Sequence, residues 1–360
     1  MIVAVEILGE IYAGVALAHG ASAEEAEIFR DCLLRADLRD HSTQGSALVP
    51  YHDEMLADGQ MRFGAELERI SDAPAVAVVD AHFGPGEVVG TRCMGLAIEK
   101  AEATGMGCVV VRNSGDFAMA SAYSLQALDR GMIGIAMSHG KPVVAPWGGR
   151  DPLLCTNPIS VAFPGGERHP IVIDMATSAF SMGDAIRTAR DGGRLPFVGI
   201  VAPDGEYGDD PAKIVVDVEE RESKLDGALL PLGPKGFGMS LIVELMCSAL
   251  AGADGSWSNA YQPSGERPWR HGHCFLALDP GAFAGLGAFT DSADASVGAL
   301  EGSAPAAGGS GVRVPGRAAA EAEARRVTEG VPVRDEELRQ LLAVARRRGL
   351  GELADKAEAG

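Results

Sequence analysis

Several short stretches carry residue types able to meet a charged ligand or exchange a proton. In PLGPKGFG (231–238) Lys235 stands among three glycines ahead of an apolar run, so its ammonium and a helix N-terminus would both face an anion such as phosphate. A solvated loop lysine is the other reading of the same residues. DMATSAF (174–180) ends an apolar strand with an acid and small hydroxyl residues, which either meet a ligand or cap a helix. GPGEVVG (84–90) approximates the dinucleotide pattern GxGxxG with one residue too many. Such a site wants an acid at the end of the next strand, where VVVR supplies Arg112, so the glycines read better as a tight turn at positive φ. HGHC (271–274) invites a metal, but zinc needs ligands converging from more than one side and no partner cluster exists. A partly buried strand start is the preferred reading, and no metal is expected.

Around these stretches the chain alternates. SAEEAEIFRDCLLRADLRD predicts a helix behind a Ser22 cap. APAVAVVDAHF and MGCVVVRNS predict strands flanking a helix over TRCMGLAIEKAEATG. From 131 onward GMIGIAMS, NPISVAFP, PIVIDMA and FVGIVAPDG are closely spaced apolar runs, which suit a mixed or antiparallel sheet better than an alternating parallel one. KGFGMSLIVELMCSALAG, apolar almost all round, predicts a buried helix, and the Ala-, Gly- and Ser-rich 284–312 predicts a loosely packed stretch. Two charged helices separated by EGVPV follow from Ala318.

Three hundred and sixty residues are enough for a large core without staples. Thirty-one Lys and Arg against fifty Asp and Glu leave a net charge of -19, which repels nucleic acid. The apolar runs fall short of the ~20 residues that span a bilayer. The N-terminus MIVAVEILGEIYAG lacks a basic leader segment, and the six cysteines are scattered, so reduced thiols and a cytoplasmic location are expected.

ADLRDHSTQG, VVVRNSGDFAMASAY, GMIGIAMSHGKPVVAPWGG, LCTNPISVAFP, IDMATS, PLGPKGFGMSL and VPG occur in the order and spacing of one family. Across nearly its whole length the chain resembles the malate/L-lactate dehydrogenase-like oxidoreductases, which include ureidoglycolate and sulfolactate dehydrogenases and cyclic imino acid reductases. The resemblance implies an α/β, non-Rossmann fold for NAD or NADP, with a mixed, largely antiparallel sheet and a helical domain. It places 1–73 with 313–360 in the helical domain and 74–312 in the cofactor-binding and substrate-cleft region. It also implies a homodimer and cofactor contacts at Ser138, His139, Asn157, Asp174, Met175, Ala176, Lys235 and Arg317, the last a possible partner for a 2′-phosphate.

The chain departs from the family where chemistry is expected. Members usually read RGxDSHG followed by an Arg that clamps the substrate carboxylate; here RDHSTQGSAL puts Thr43 at the Ser, Gln44 at the His and Leu48 at the Arg. The second family histidine falls on Asp116 of GDFA. Leu48 cannot clamp and Gln44 cannot exchange a proton, so malate, lactate and sulfolactate are disfavoured. Asp116 becomes the expected acid/base group, its pKa raised by burial, with Thr43 orienting substrate. His41 and His139 are candidates for the lost imidazole.

These readings converge on an NAD(P)H-dependent oxidoreductase for an imine, enamine or unusual ketone in a specialised biosynthetic pathway, its substrate neutral or cationic at the reacting group. Two rivals start from the missing histidines: a non-redox elimination, isomerisation or condensation on the same scaffold, and a silent nucleotide-binding homologue.

Overall fold

The structure, a computed structural model, describes residues 1–216, 224–259 and 270–359. Ten helices of nine residues or more organise the described residues: α1 (Val5–Ala18), α2 (Ala23–Leu38), α3 (Val49–Ala57), α4 (Gly86–Thr104), α5 (Met182–Arg190), α6 (Gly233–Cys247), α7 (Leu286–Glu301), α8 (Arg317–Glu329), α9 (Asp335–Arg347) and α10 (Gly351–Ala359). The central sheet has seven strands: β1 (Glu68–Asp72), β2 (Val76–Asp80), β3 (Met106–Ser114), β4 (Ile133–His139), β5 (Ile159–Phe163), β6 (Ile171–Met175) and β7 (His271–Leu278). Their spatial order is β1, β2, β3, β7, β4, β5, β6.

Only β2 and β3 run parallel, joined through α4 as a right-sized crossover, while every other neighbouring pair is antiparallel. The mixed, largely antiparallel sheet expected from the short apolar runs is therefore present. The central strand β7 is buried almost throughout, as its HGHCFLAL run of small and apolar residues requires.

Local signals explain the helices. Ser22 and Glu25 form a reciprocal capping box, Glu25 N to Ser22 Oγ at 3.2 Å and Ser22 N to Glu25 Oε2 at 3.0 Å, and α2 starts there. Phe29, Leu33 and Ala36 then recur on its buried face. They join Leu8, Ile11 and Tyr12 of α1 and Leu338, Leu341 and Leu342 of α9 in one core, where each buried Leu or Phe contributes roughly 1.5–3 kcal/mol. Ile2–Val3 pairs with Val331–Pro332, tying the start of this layer to its end.

Three expectations fail and one open choice, that of DMATS, narrows. GPGEVVG is not a turn with left-handed glycines: α4 already begins at Gly86, and the positive φ angles fall on His82 (46°) and Phe83 (63°). DMATS caps no helix; the nearest cap is Ser181, which accepts from Asp184 N at 3.0 Å. Much of 284–312 is helical, because Ala favours helix and Leu286, Phe289 and Val297 recur on one side of α7. And α6 is not buried all round: Met239, Leu241, Ile242 and Leu245 are exposed, Ile242 by 60%.

Candidate active site

The site is built where α3, the start of α4, the loop after β3 and the start of β7 converge. A single 3-10 turn, Ser42–Gln44, leaves α2 and leads into α3. Asp37, buried at the end of α2, fixes it: its carboxylate accepts from Ser46 N at 2.9 and 3.0 Å, from Ser46 Oγ at 2.9 Å and from Tyr12 Oη at 2.6 Å. From the other side Arg187 of α5 donates to Ser42 Oγ at 3.2 Å and to Glu337 Oε1 of α9 at 2.8 Å. Thr43 and Gln44 are thereby held at the mouth of a cleft of about 290 Å³.

Asp116 forms part of the cleft wall, with Leu48, Lys141 and His271 around it. Its main chain is set by α4, since Gly86 N donates to Asp116 O at 3.0 Å. A Cβ at Gly86 would lie 2.2 Å from that oxygen, so glycine is required there for close approach. Behind Asp116 lies His52 of α3, completely buried. Its Nδ1 is 2.9 Å from Glu87 Oε1 and its Nε2 is 3.7 Å from Asp116 Oδ1. Both are ion-pair contacts, and Phe29 and Tyr51 close the remaining sides with ring centroids 5.9 Å away.

These contacts set the protonation states. Burial by itself would raise the Asp116 pKa, as the sequence suggested. It is outweighed by the His52 ring 3.7 Å away, the field of His271 and the Ala118 amide, which hold the carboxyl well below the usual carboxylate range. The expectation of a raised Asp116 pKa is thus corrected. For His52 burial favours the neutral ring, but Glu87 and Asp116 push its pKa up to about 10. His271 goes the other way: burial lowers its pKa against the pull of Asp116, and its Nε2 has no hydrogen-bond partner among the described residues.

A second cavity, about 250 Å³, shares Thr43, Gln44, Thr156, Ser181 and Arg187 with the cleft. Its far side is formed by Ala118, Met119, Ala120 and the edge Asp174, Met175 and Ala176, with His41 at the rim. Asp174 Oδ2 accepts from Ser121 N at 2.8 Å, which fixes that edge. A third groove is lined by Arg168, His169 and Arg317 among others. Arg317 is exposed and paired with Glu301 at 3.1 Å and Glu321 at 3.0 Å.

The structure therefore gathers Thr43, Gln44, Asp116, His41, Asp174, Met175 and Ala176 into adjoining spaces. It does not bring the other expected residues there. Ser138 is buried against His273 Nδ1 at 3.0 Å, and His139 packs against Ser256 Oγ at 3.2 Å, its pKa pushed down to about 3 by burial. His139 thus cannot supply the lost imidazole in the cleft. Asn157 is buried and donates to Ser240 and Glu244 (2.9 Å), while Lys235 is exposed on the first turn of α6. All four lie outside the three cavities. No sequence motif assigns His52, Glu87, Lys141 or His271 a part in this site. Glu87 lies in GPGEVVG and Lys141 directly after Ser138, His139 and Gly140, but neither carries a chemical signal of its own there, and HGHC points to His271 only as a metal candidate; His273 of that motif stacks on Phe117 with ring centroids 4.7 Å apart. No group of His, Cys, Asp and Glu able to hold a metal occurs among the described residues.

Residues 3–342 match the Malate/L-lactate dehydrogenase family model. The chain is 33% identical over 290 residues to the L-sulfolactate dehydrogenase of Methanocaldococcus jannaschii, covering 80% of this chain and 81% of that protein. It is 32% identical over 267 residues to the Delta(1)-pyrroline-2-carboxylate/Delta(1)-piperideine-2-carboxylate reductase of Pseudomonas putida, covering 73% and 75%. The solved structure of the sulfolactate dehydrogenase from Methanocaldococcus jannaschii superposes with a TM-score of 0.86 at 31% identity, over 99% of each chain.

Proposed function

The chain belongs to the malate/L-lactate dehydrogenase family and is an oxidoreductase, and from that premise we propose that it reduces an imine, enamine or unusual ketone with NAD(P)H. The observation that carries this reading is the Asp116 carboxylate in the wall of a cleft that opens into a second cavity edged by Asp174, Met175 and Ala176. The residues present fit a nicotinamide cofactor. Ala118, Ala120 and Ala176 leave room for a flat ring beside the cleft, and Arg168 and Arg317 offer cations to phosphates in the third groove. When bound, the reduced cofactor supplies a hydride to the substrate carbon.

The chain's own residues do the rest. Asp116, held ionised, stabilises positive charge at the reacting group, which an iminium has and a ketone lacks. Leu48 is an apolar wall where a clamp would stand, but the cleft is not uniformly acidic, because Lys141 and Arg187 line it too. They suit a negative group elsewhere on a substrate that is neutral or cationic where it reacts. Thr43 and Gln44 face both spaces and can orient substrate by hydrogen bonds. His271 lines the cleft and His52 stands behind Asp116, so loss of the two motif histidines does not leave the site without imidazoles.

Membership of this family and the exposed apolar face of α6 support a homodimer, and six unpaired thiols suit the cytoplasm. No described helix is long and apolar enough to cross a membrane. Calorimetric titration with NADH and NADPH tests the reading, followed by the loss of reduced-cofactor absorbance with Delta(1)-piperideine-2-carboxylate and oxaloacetate as probes. Tight binding of one nucleotide is expected; binding of neither overturns the proposal.

A further inference from the structure

Three ionisable groups from three different elements stand in line behind the cleft: Glu87 on the first turn of α4, His52 on α3, and Asp116 in the loop after β3. Glu87 and His52 have no exposed surface, whereas Asp116 keeps 31% of its side chain exposed at the cleft. A buried carboxylate is costly unless paired. Among the described residues Glu87 has no ionic partner except His52, whose Nδ1 stands 2.9 Å from its Oε1. His52 in turn has one nitrogen toward each carboxylate.

We propose that Glu87, His52 and Asp116 form a buried proton relay, in which His52 supplies from behind the cleft the imidazole missing from the sequence motifs and Asp116 hands the proton to the substrate heteroatom. The proposal rests on Asp116 being the group at the reacting atom. The step moves a proton and no electrons. The Nε2–H bond of His52 breaks as the Asp116 carboxyl gains a proton; that proton passes to the nitrogen of an unprotonated imine or the oxygen of a ketone, leaving the Asp116 carboxylate ionised again beside the positive charge so formed. The neutral imidazole regains its proton through Asp116, the one member of the line exposed to water at the cleft. The 3.7 Å gap to Asp116 is of the kind that tightens when a site closes around its ligand.

The surroundings of His52 agree. Facing it are Glu87 from α4, Asp116 from the loop after β3 and His271 from β7, with Lys141 acting on His271 and the uncharged rings of Phe29 and Tyr51 filling the rest. Two carboxylates against one neutral imidazole keep His52 protonated at neutral pH, near about 10. His52 and Glu87 are positioning residues here, since neither reaches the cleft.

The full-length protein, labelled with 15N-histidine, is titrated from neutral to alkaline pH and the His52 ring signals followed. Protonation is expected to persist to about pH 10, and Glu87→Gln, which keeps the shape of the side chain, to lower the midpoint by about one unit or more, a tenfold loss of proton affinity. Asp116→Asn, at the half-exposed end of the line, is the second variant and should lower it as well. A His52 midpoint near 6.5, or one that neither variant moves, overturns the relay. With NADPH and Delta(1)-piperideine-2-carboxylate as probe, the alkaline limb of kcat should move down in Glu87→Gln together with the midpoint, and an unmoved limb also overturns it. If the wild-type protein turns over no probe and binds no nucleotide, the oxidoreductase reading fails while the histidine titration still decides the relay.

Discussion

Asp37 holds the turn that carries Thr43 and Gln44, and its buried charge makes the stability of that turn depend on pH. Burial is the largest influence on its pKa and wins over the hydrogen bonds from Tyr12 and Ser46, raising it from 3.8 to about 6. The folded chain thus binds this proton more tightly than the unfolded chain. Its favourable contribution is complete below about pH 4 and is lost as pH rises to about 6. Roughly two units at 1.36 kcal/mol each come to about 3 kcal/mol. Asn mimics the protonated form, though its amide must turn one N–H toward Tyr12 or Ser46, which already donate, at a cost of about 1–3 kcal/mol at any pH. Asp37→Asn should therefore cost less stability at about pH 8 than at about pH 4, by about 3 kcal/mol. Urea unfolding of both proteins at the two pH values measures the difference. Hydrogen exchange over Ser42–Leu48 should report the same turn, with the Ser46 amide exchanging faster in the variant. A cost that is equal at both pH values, or greater at the higher one, refutes the argument.

Gly86→Ala would place a methyl 2.2 Å from Asp116 O; overpacking of this kind costs about 1–3 kcal/mol, so a lower melting temperature and a loss of kcat should appear together, and an unchanged kcat counts against the assigned place of Asp116. Arg317→Ala removes only exposed ion pairs, so melting should stay within about 1 kcal/mol of wild type while NADPH affinity falls about tenfold and NADH affinity holds; equal losses for both nucleotides would show that Arg317 reads no 2′-phosphate. Ile242→Asp puts a charge on the exposed face of α6; if the proposed homodimer forms there, sedimentation should show a dimer for the wild type and the single-chain mass for the variant, and an unchanged mass counts against that interface.

Strands and capped helices were legible because their signals are local. Ser22 with Glu25, the apolar run before Arg112 and the Gly-bounded runs after 131 each announce an element within a few residues. Asp174, Met175 and Ala176 could be placed at a site for the same reason, being the end of a strand. The acid–base groups were not legible. His52 sits in YHDEM with nothing beside it to mark it, and its partners Glu87 and Asp116 are 35 and 64 residues away. Only the packing of α3 against α4 and the loop after β3 gives that histidine a meaning. The sign of the Asp116 shift was missed for the same cause: burial was foreseen, the imidazole behind it was not. The exposed face of α6 is not legible because composition reports hydrophobicity and does not say which apolar side chains the fold leaves uncovered.

The strand order has a consequence for how the chain is made. β7 begins at His271 yet lies between β3, which ends at Ser114, and β4, which begins at Ile133. Until about three quarters of the chain has left the ribosome, those two earlier strands have no neighbour on their inner edges. Pairings across such sequence distances are slow to form, and open apolar edges recruit other chains. The nascent protein is therefore most exposed to aggregation in the interval before residue 278 emerges, and chaperone demand should peak there. A chain ending short of β7 would lack the strand that joins the two halves of the sheet and, with it, the His271 wall of the cleft.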